Sequence, residues 1–194
     1  MKRIAAGVAA LGAVLAASPA EAGVAKVNFG ALAHNIQVID PKNAHKEKGP
    51  DVELQIDFDS PSFLPAWTGE PTPYVMASVN TRGRTSFAGF GLAWSFDLPG
   101  DWSFDPSVGY VVHSGDLENP YFAGDPRYDA YYEDHLLLGS RDLFRTTFGL
   151  THHFNESWST EFIYSHLSHG QILGSGRNQG LDSLGMRVGY RFGG

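Results

Sequence analysis

From Asp182 to Phe192 the chain alternates at every second residue: Asp182, Leu184, Met186, Val188, Tyr190 and Phe192 share one face, and Ser183, Gly185, Arg187, Gly189 and Arg191 the other. An extended chain points successive side chains to opposite sides, so this pattern predicts a β-strand with one apolar face. The segment before it behaves alike, with Trp158, Phe162, Tyr164, His166 and Ser168 on one face and Ser159, Glu161, Ser165 and His169 largely on the other. Five further segments repeat the pattern, at about 24–34, 51–58, 85–98, 102–113 and 140–154. A sixth, at about 72–81, is equivocal, because Val75, Ala77 and Val79 oppose Tyr74, Met76 and Ser78 and neither set is polar. An even count of strands lets an antiparallel sheet close with both ends on the same side.

The fold expected is therefore all-β, an eight-stranded antiparallel transmembrane β-barrel. With the first strand running outward, Pro99-Gly100-Asp101 and Asn155-Glu156-Ser157 become short periplasmic turns, and residues 35–50, 114–139 and 169–181 become external loops. Segment 59–71, Pro-rich and carrying Phe63, Leu64 and Trp67, is long for a periplasmic turn and is read as an interfacial helix or a loop.

Export fits this picture. Lys2 and Arg3, an apolar run from Ile4 to Ala17 and the small-residue site Ala20-Glu21-Ala22 are the parts of a cleaved signal peptide over 1–22, which leaves 23–194 as one domain. The chain has no cysteine, so an exported domain must hold together without disulfides. Aromatic residues make up 13% of the chain and glycines number 23, which favours an outer-membrane barrel over the alternative of a periplasmic β-sandwich. A net charge of −7 disfavours nucleic acid as a partner. The inward faces carry Lys26, Glu53, Asp57, Asp97, Asp105, Arg145, Glu161, Arg187 and Arg191. In a barrel this narrow such side chains fill the lumen and pair, which argues against a channel.

Three polar residues fall on the apolar face: His166, Ser168 and Asp182, at the end of one strand and the start of the next. Residues i and i+2 of a strand share a face, which sets His166 beside Ser168, and an imidazole is suited to take a hydroxyl proton near neutral pH. Asp182 on the neighbouring strand can hold the other ring nitrogen. A plainer explanation carries equal weight: all three are polar residues of the barrel rim, where charge costs little, ~0–1 kcal/mol. His34, His45, His113, His135, His152 and His153 fall inward, in loops or near turns, and read as structural or solvated. No metal centre is expected, since the histidines lack further ligands at suitable spacing. Loop 114–139, with Tyr121, Phe122, Tyr128, Tyr131 and Tyr132, is read first as ordinary interface residues and second as a cover for a glycolipid head group.

His166-Leu167-Ser168, followed by Asn178-Gln179-Gly180-Leu181-Asp182 and the closing Gly189-Tyr190-Arg191-Phe192, resembles the lipid A 3-O-deacylase (PagL-like) family of outer-membrane acyloxyacyl hydrolases. Asn80-Thr81 and Gly91-Leu92-Ala93-Trp94 add to the likeness. The resemblance implies hydrolysis of the ester-linked acyl chain at position 3 of lipid A in the outer leaflet, with Ser168 as nucleophile, His166 as base and Asp182 as acid, and no cofactor. It implies Asn178 as an oxyanion donor, helped by the backbone N–H of Gly170. The chain departs from the family pattern in having His169 where Asn is common, Asp182 where Glu is common, and a slightly longer stretch from Ser168 to the acid. The alternatives are a non-catalytic barrel used for adhesion or envelope integrity, and a phospholipase-type esterase. A homodimer is compatible with either.

Overall fold

A computed structural model describes residues 23–36, 38, 43 and 45–193; the expected signal peptide lies outside them. The strands are β1 Val24–Ala33, β2 Pro50–Phe58, β3 Thr72–Asn80, β4 Phe87–Ala93 continued by Phe96–Leu98, β5 Trp102–His113, β6 Asp142–His153, β7 Trp158–Ser168 and β8 Leu181–Arg191. Each pairs antiparallel with its neighbours in the chain, and β1 pairs with β8, so the sheet of eight strands closes. The expected barrel is observed. Closure leaves no open edge and satisfies the backbone ladder without water, which a lipid-embedded sheet requires.

The expected strand over 85–98 is interrupted at Trp94 and Ser95. Opposite lies Pro106, whose carbonyl accepts from the Trp94 N–H at 2.9 Å but which has no N–H to return. The register resumes unchanged at Phe96 opposite Phe104.

Alternation sorts the side chains as the pattern predicts. Phe29, Leu54, Val79, Val108, Phe148 and Val188 are among the residues exposed on the outer face, an apolar belt that would be prohibitive in water and is favourable against acyl chains. At the periplasmic end Trp102 meets His152 at 4.8 Å between ring centroids, and Trp158 meets Tyr190 at 4.9 Å, which in turn meets Phe192 at 5.0 Å. This is the aromatic girdle expected at a membrane interface. The equivocal β3 resolves the same way: Val75 and Val79 face out, while Tyr74 and Met76 are buried inside. The Tyr74 ring fits because β4 and β5 present Gly91 and Gly109 to it, and a Cβ at either would collide with the phenol.

The lumen is closed by ion pairs. Arg145 donates to both oxygens of Glu53 at 3.0 Å, and Arg187 donates to Glu53 at 2.8 Å and to Glu161 at 2.6 Å. Other inward charges behave differently from the expected pairing. Asp57 accepts from Asn28 at 2.7 Å and Gln55 at 2.6 Å, and Asp105 from Ser95 at 2.6 Å, Ser103 at 3.0 Å and Thr151. Lys26, Asp97 and Arg191 form no ion pair among the described residues; Asp97 and Arg191 are exposed and Lys26 is half-buried. A polar cavity of about 270 Å³ remains at the periplasmic end.

The external end is capped by loops. The connection from β5 to β6 carries helix α1, Tyr128–Asp134, and then sends Leu136 and Leu138 into an apolar cluster with Tyr74, Met76, Phe87 and Leu167. Beside it His34 is bonded to Asp51 at 2.8 Å and to Glu47 at 3.2 Å, and Glu47 accepts the backbone N–H groups of Thr85 and Leu136, each at 3.1 Å. Segment 59–71 is a loop with one 3₁₀ turn, Ala66–Thr68, held by the Trp94 indole N–H donating to the Thr68 carbonyl at 2.9 Å.

Candidate active site

The antiparallel register of β7 against β8 sets His166 directly opposite Asp182. Ser168 follows His166 on the same outward face, and Tyr164 precedes it there. Proximity thus comes from the ladder alone: cross-strand partners stand ~4.5–5.5 Å apart at Cβ, which a histidine and an aspartate can bridge. They do so, with His166 Nδ1 at 2.6 Å from Asp182 Oδ1. An ionised carboxylate only accepts, so in the neutral ring this contact selects the tautomer with the proton on Nδ1 and a lone pair on Nε2, the arrangement a general base needs.

Asp182 is not the solvated rim charge of the plainer explanation. It is 1% exposed, while His166 and Ser168 are half-buried. A carboxylate withdrawn from water this far needs donors. It receives two on the same oxygen, His166 Nδ1 and the Tyr164 hydroxyl, the latter at 2.9 Å. Among the described residues no hydrogen bond joins Ser168 Oγ to the ring; the two side chains are neighbours on one face, and such bonds commonly tighten only around substrate.

The connection 169–180 surrounds this pair. His169, just past the end of β7, is completely buried. Its Nδ1 accepts the Gln171 N–H at 3.1 Å and its Nε2 donates to the Arg177 carbonyl at 2.9 Å, so both nitrogens are spent on the loop's own backbone and the ring is no second base. The Arg177 carbonyl that His169 holds belongs to the residue before Asn178, whose Oδ1 is buried with no hydrogen-bond partner among the described residues. Gly170 is exposed with φ +58°, two residues after Ser168.

Three residues beyond the expected set shape the site. Gly180 has φ +67°, and a Cβ there would lie 3.3 Å from His166 Cε1, so the loop presses on the imidazole where only glycine fits. Gln179 accepts the Leu137 N–H at 2.7 Å and donates to Asn43 at 2.9 Å, tying this loop to two other external loops. Tyr164 is the third. Tyr164 had a sequence signal as the residue two before His166 on the same face; Gln179 and Gly180 stood in the family-like motif, but their contacts, with other external loops and with the His166 ring, are not set by strand periodicity.

Taken together, a hydroxyl, an imidazole with a free nitrogen and a buried carboxylate line up on the lipid side of a barrel wall. That arrangement is suited to nucleophilic attack on an ester whose alcohol part is at the surface and whose acyl part is in the membrane. Residues 53–191 match the family described as lipid A 3-O-deacylase (PagL). No curated protein matches the chain. Among solved structures, the crystal structure of the outer membrane enzyme PagL is similar with a TM-score of 0.58 and 16% identity, covering 85% of this chain and 98% of that one. The crystal structure of Neisserial surface protein A (NspA) is similar with a TM-score of 0.55 and 12% identity, covering 88% of this chain and 99% of that one. At these identities the two likenesses speak to the barrel.

Proposed function

Because the chain belongs to the lipid A 3-O-deacylase (PagL) family, we propose that it is an outer-membrane carboxylic ester hydrolase that removes the 3-O-linked acyl chain of lipid A by a Ser168/His166/Asp182 mechanism. The observation that carries the reading is the 2.6 Å contact of His166 with a buried Asp182 on the lipid-facing side of β7 and β8. A lumen-facing triad would be cut off from a membrane lipid by the barrel wall; this one meets an acyl chain laterally, without removal of the substrate from the bilayer.

In this mechanism Ser168 Oγ attacks the ester carbonyl while His166 Nε2 takes its proton, and Asp182 stabilises the imidazolium that results. The side-chain amide of Asn178 and the backbone N–H of Gly170 donate to the oxyanion of the tetrahedral intermediate. Collapse breaks the bond to the sugar oxygen, which takes the proton from His166 and leaves as the free 3-hydroxyl. Water then attacks the acyl-serine with His166 again as base, and a 3-hydroxy fatty acid is released.

The shorter carboxylate of Asp182, compared with the Glu common in the family, is accommodated because its strand position is directly opposite His166. The test is hydrolysis of detergent-dispersed lipid A, with a diacyl phospholipid as the competing substrate. Lipid A should lose one acyl chain, and Ser168→Ala and His166→Ala should each abolish nearly all of the reaction, with the double variant little worse than either single one. Undiminished hydrolysis by Ser168→Ala would place the nucleophile elsewhere, and faster release from the phospholipid would replace the substrate.

A further inference from the structure

We infer that Tyr164 is a positioning residue of this site, its hydroxyl fixing the Asp182 carboxylate in the orientation that grips His166. The inference rests on the hydrolase reading above. Both donors reach one atom: Asp182 Oδ1 takes the His166 Nδ1–H at 2.6 Å and the Tyr164 hydroxyl at 2.9 Å. An aspartate carboxylate rotates broadly about its last torsion. Two donors from the neighbouring strand, two residues apart on one face, remove that freedom by converging on one oxygen from different directions. Because Asp182 is 1% exposed, water does not compete for the role.

The location gives the contact a price in the other direction as well. Tyr164 stands on the face that carries Phe162 and Trp158, where a phenol hydroxyl with no acceptor would be stranded near acyl chains. Satisfying that hydroxyl is a purely structural purpose, and it makes a different prediction. If Asp182 merely serves Tyr164, loss of the hydroxyl leaves catalysis untouched. If Tyr164 serves Asp182, loss of the hydroxyl reaches the reaction only through the carboxylate.

The experiment compares Tyr164→Phe, Tyr164→Leu, Asp182→Asn and Tyr164→Phe/Asp182→Asn on detergent-dispersed lipid A, with heat-modifiable migration as the check of folding. Tyr164→Phe should lower kcat about tenfold, the scale of a hydrogen bond to a charged group, with KM changed less than about twofold. Tyr164→Leu, which also keeps the face apolar, should fall at least as far. In the Asp182→Asn background Tyr164→Phe should change kcat less than about twofold, because the carboxylate through which it acts is gone. Wild-type kcat in Tyr164→Phe, a loss confined to KM, or multiplication of the two single effects would overturn the inference. No hydrolysis of lipid A by the folded wild-type protein would instead overturn the hydrolase reading on which it stands, and activity in a Ser168→Ala control would move the nucleophile, so the failures are told apart.

Discussion

At His166 the protein constrains one imidazole from two directions: Asp182 Oδ1 accepts a hydrogen bond from its Nδ1–H at 2.6 Å, and the backbone at Gly180 packs so closely that a Cβ would stand 3.3 Å from Cε1. Gly180→Ala should therefore both strain a φ of +67° and displace the ring, lowering kcat by about tenfold or more while heat-modifiable migration shows an intact barrel. Asn178→Ala should lower kcat by about 10²–10³-fold if its amide meets the oxyanion, with binding of lipid A little changed. Steady-state kinetics of the two variants check both statements. The parity of His166, Ser168 and Asp182 was legible in the sequence because alternation encodes the face directly. The burial of Asp182 was not, since a rim position says nothing about the Tyr164 hydroxyl that reaches it. Nor was the use of both His169 nitrogens within its loop, which depends on a backbone path that no periodicity specifies.

Among the elements, β1 to β8 were legible because each buries one face in a packed lumen and offers the other to lipid, so the two-residue period is enforced on both sides. The break at Trp94 and Ser95 escaped the same argument: their own side chains continue the pattern, and the cause is a missing N–H on Pro106 across the ladder. The ion cluster that joins β2, β6, β7 and β8 gives a prediction at this scale. Glu53 is fully buried and is shared by Arg145 and Arg187, so Glu53→Gln takes the ion-pair partner from Arg145 and one of two from Arg187, which keeps Glu161, and should cost about 3–5 kcal/mol, read as a lower urea midpoint for unfolding from lipid vesicles.

The external loops yield a pH prediction. Burial alone would push the His34 pKa down, but hydrogen bonds and charge from Asp51 and Glu47 outweigh it and hold the ring at about 9, above its ordinary 6.5. A pKa raised on folding stabilises fully below the unfolded value and is lost as pH rises through the folded one. For Glu47 burial pushes up, and the bonds from His34, Thr85 and Leu136 outweigh it to hold the carboxyl low, so its contribution is present above about 4.5 and is lost as the solution becomes more acidic. The thermal midpoint should accordingly fall between about pH 6.5 and pH 9–10, and His34→Gln should flatten that fall. An unchanged slope in His34→Gln would assign the transition to other groups.

For the molecule as a whole, the distribution of surfaces favours the proposed site on the outside of the barrel. The lumen is spent on Arg145, Arg187, Glu53 and Glu161, which close it, and the mouth is covered by Leu136, Leu138 and the His34 cluster. What remains accessible to a lipid is the outer wall, apolar throughout its belt and interrupted near its external end by His166 and Ser168. Cap loops far apart in sequence meet there, since Gln179 bonds to Leu137 and Asn43 and thereby fixes the connection that carries Asn178. The proposed reaction is hydrolysis of lipid A at this wall through Ser168. It is tested most directly by mass spectrometry of lipid A from cells expressing the wild-type protein or Ser168→Ala at equal outer-membrane levels. Wild-type cells should yield lipid A lighter by one 3-hydroxyacyl chain and Ser168→Ala cells should yield it intact; the same loss in both would exclude Ser168 as the nucleophile.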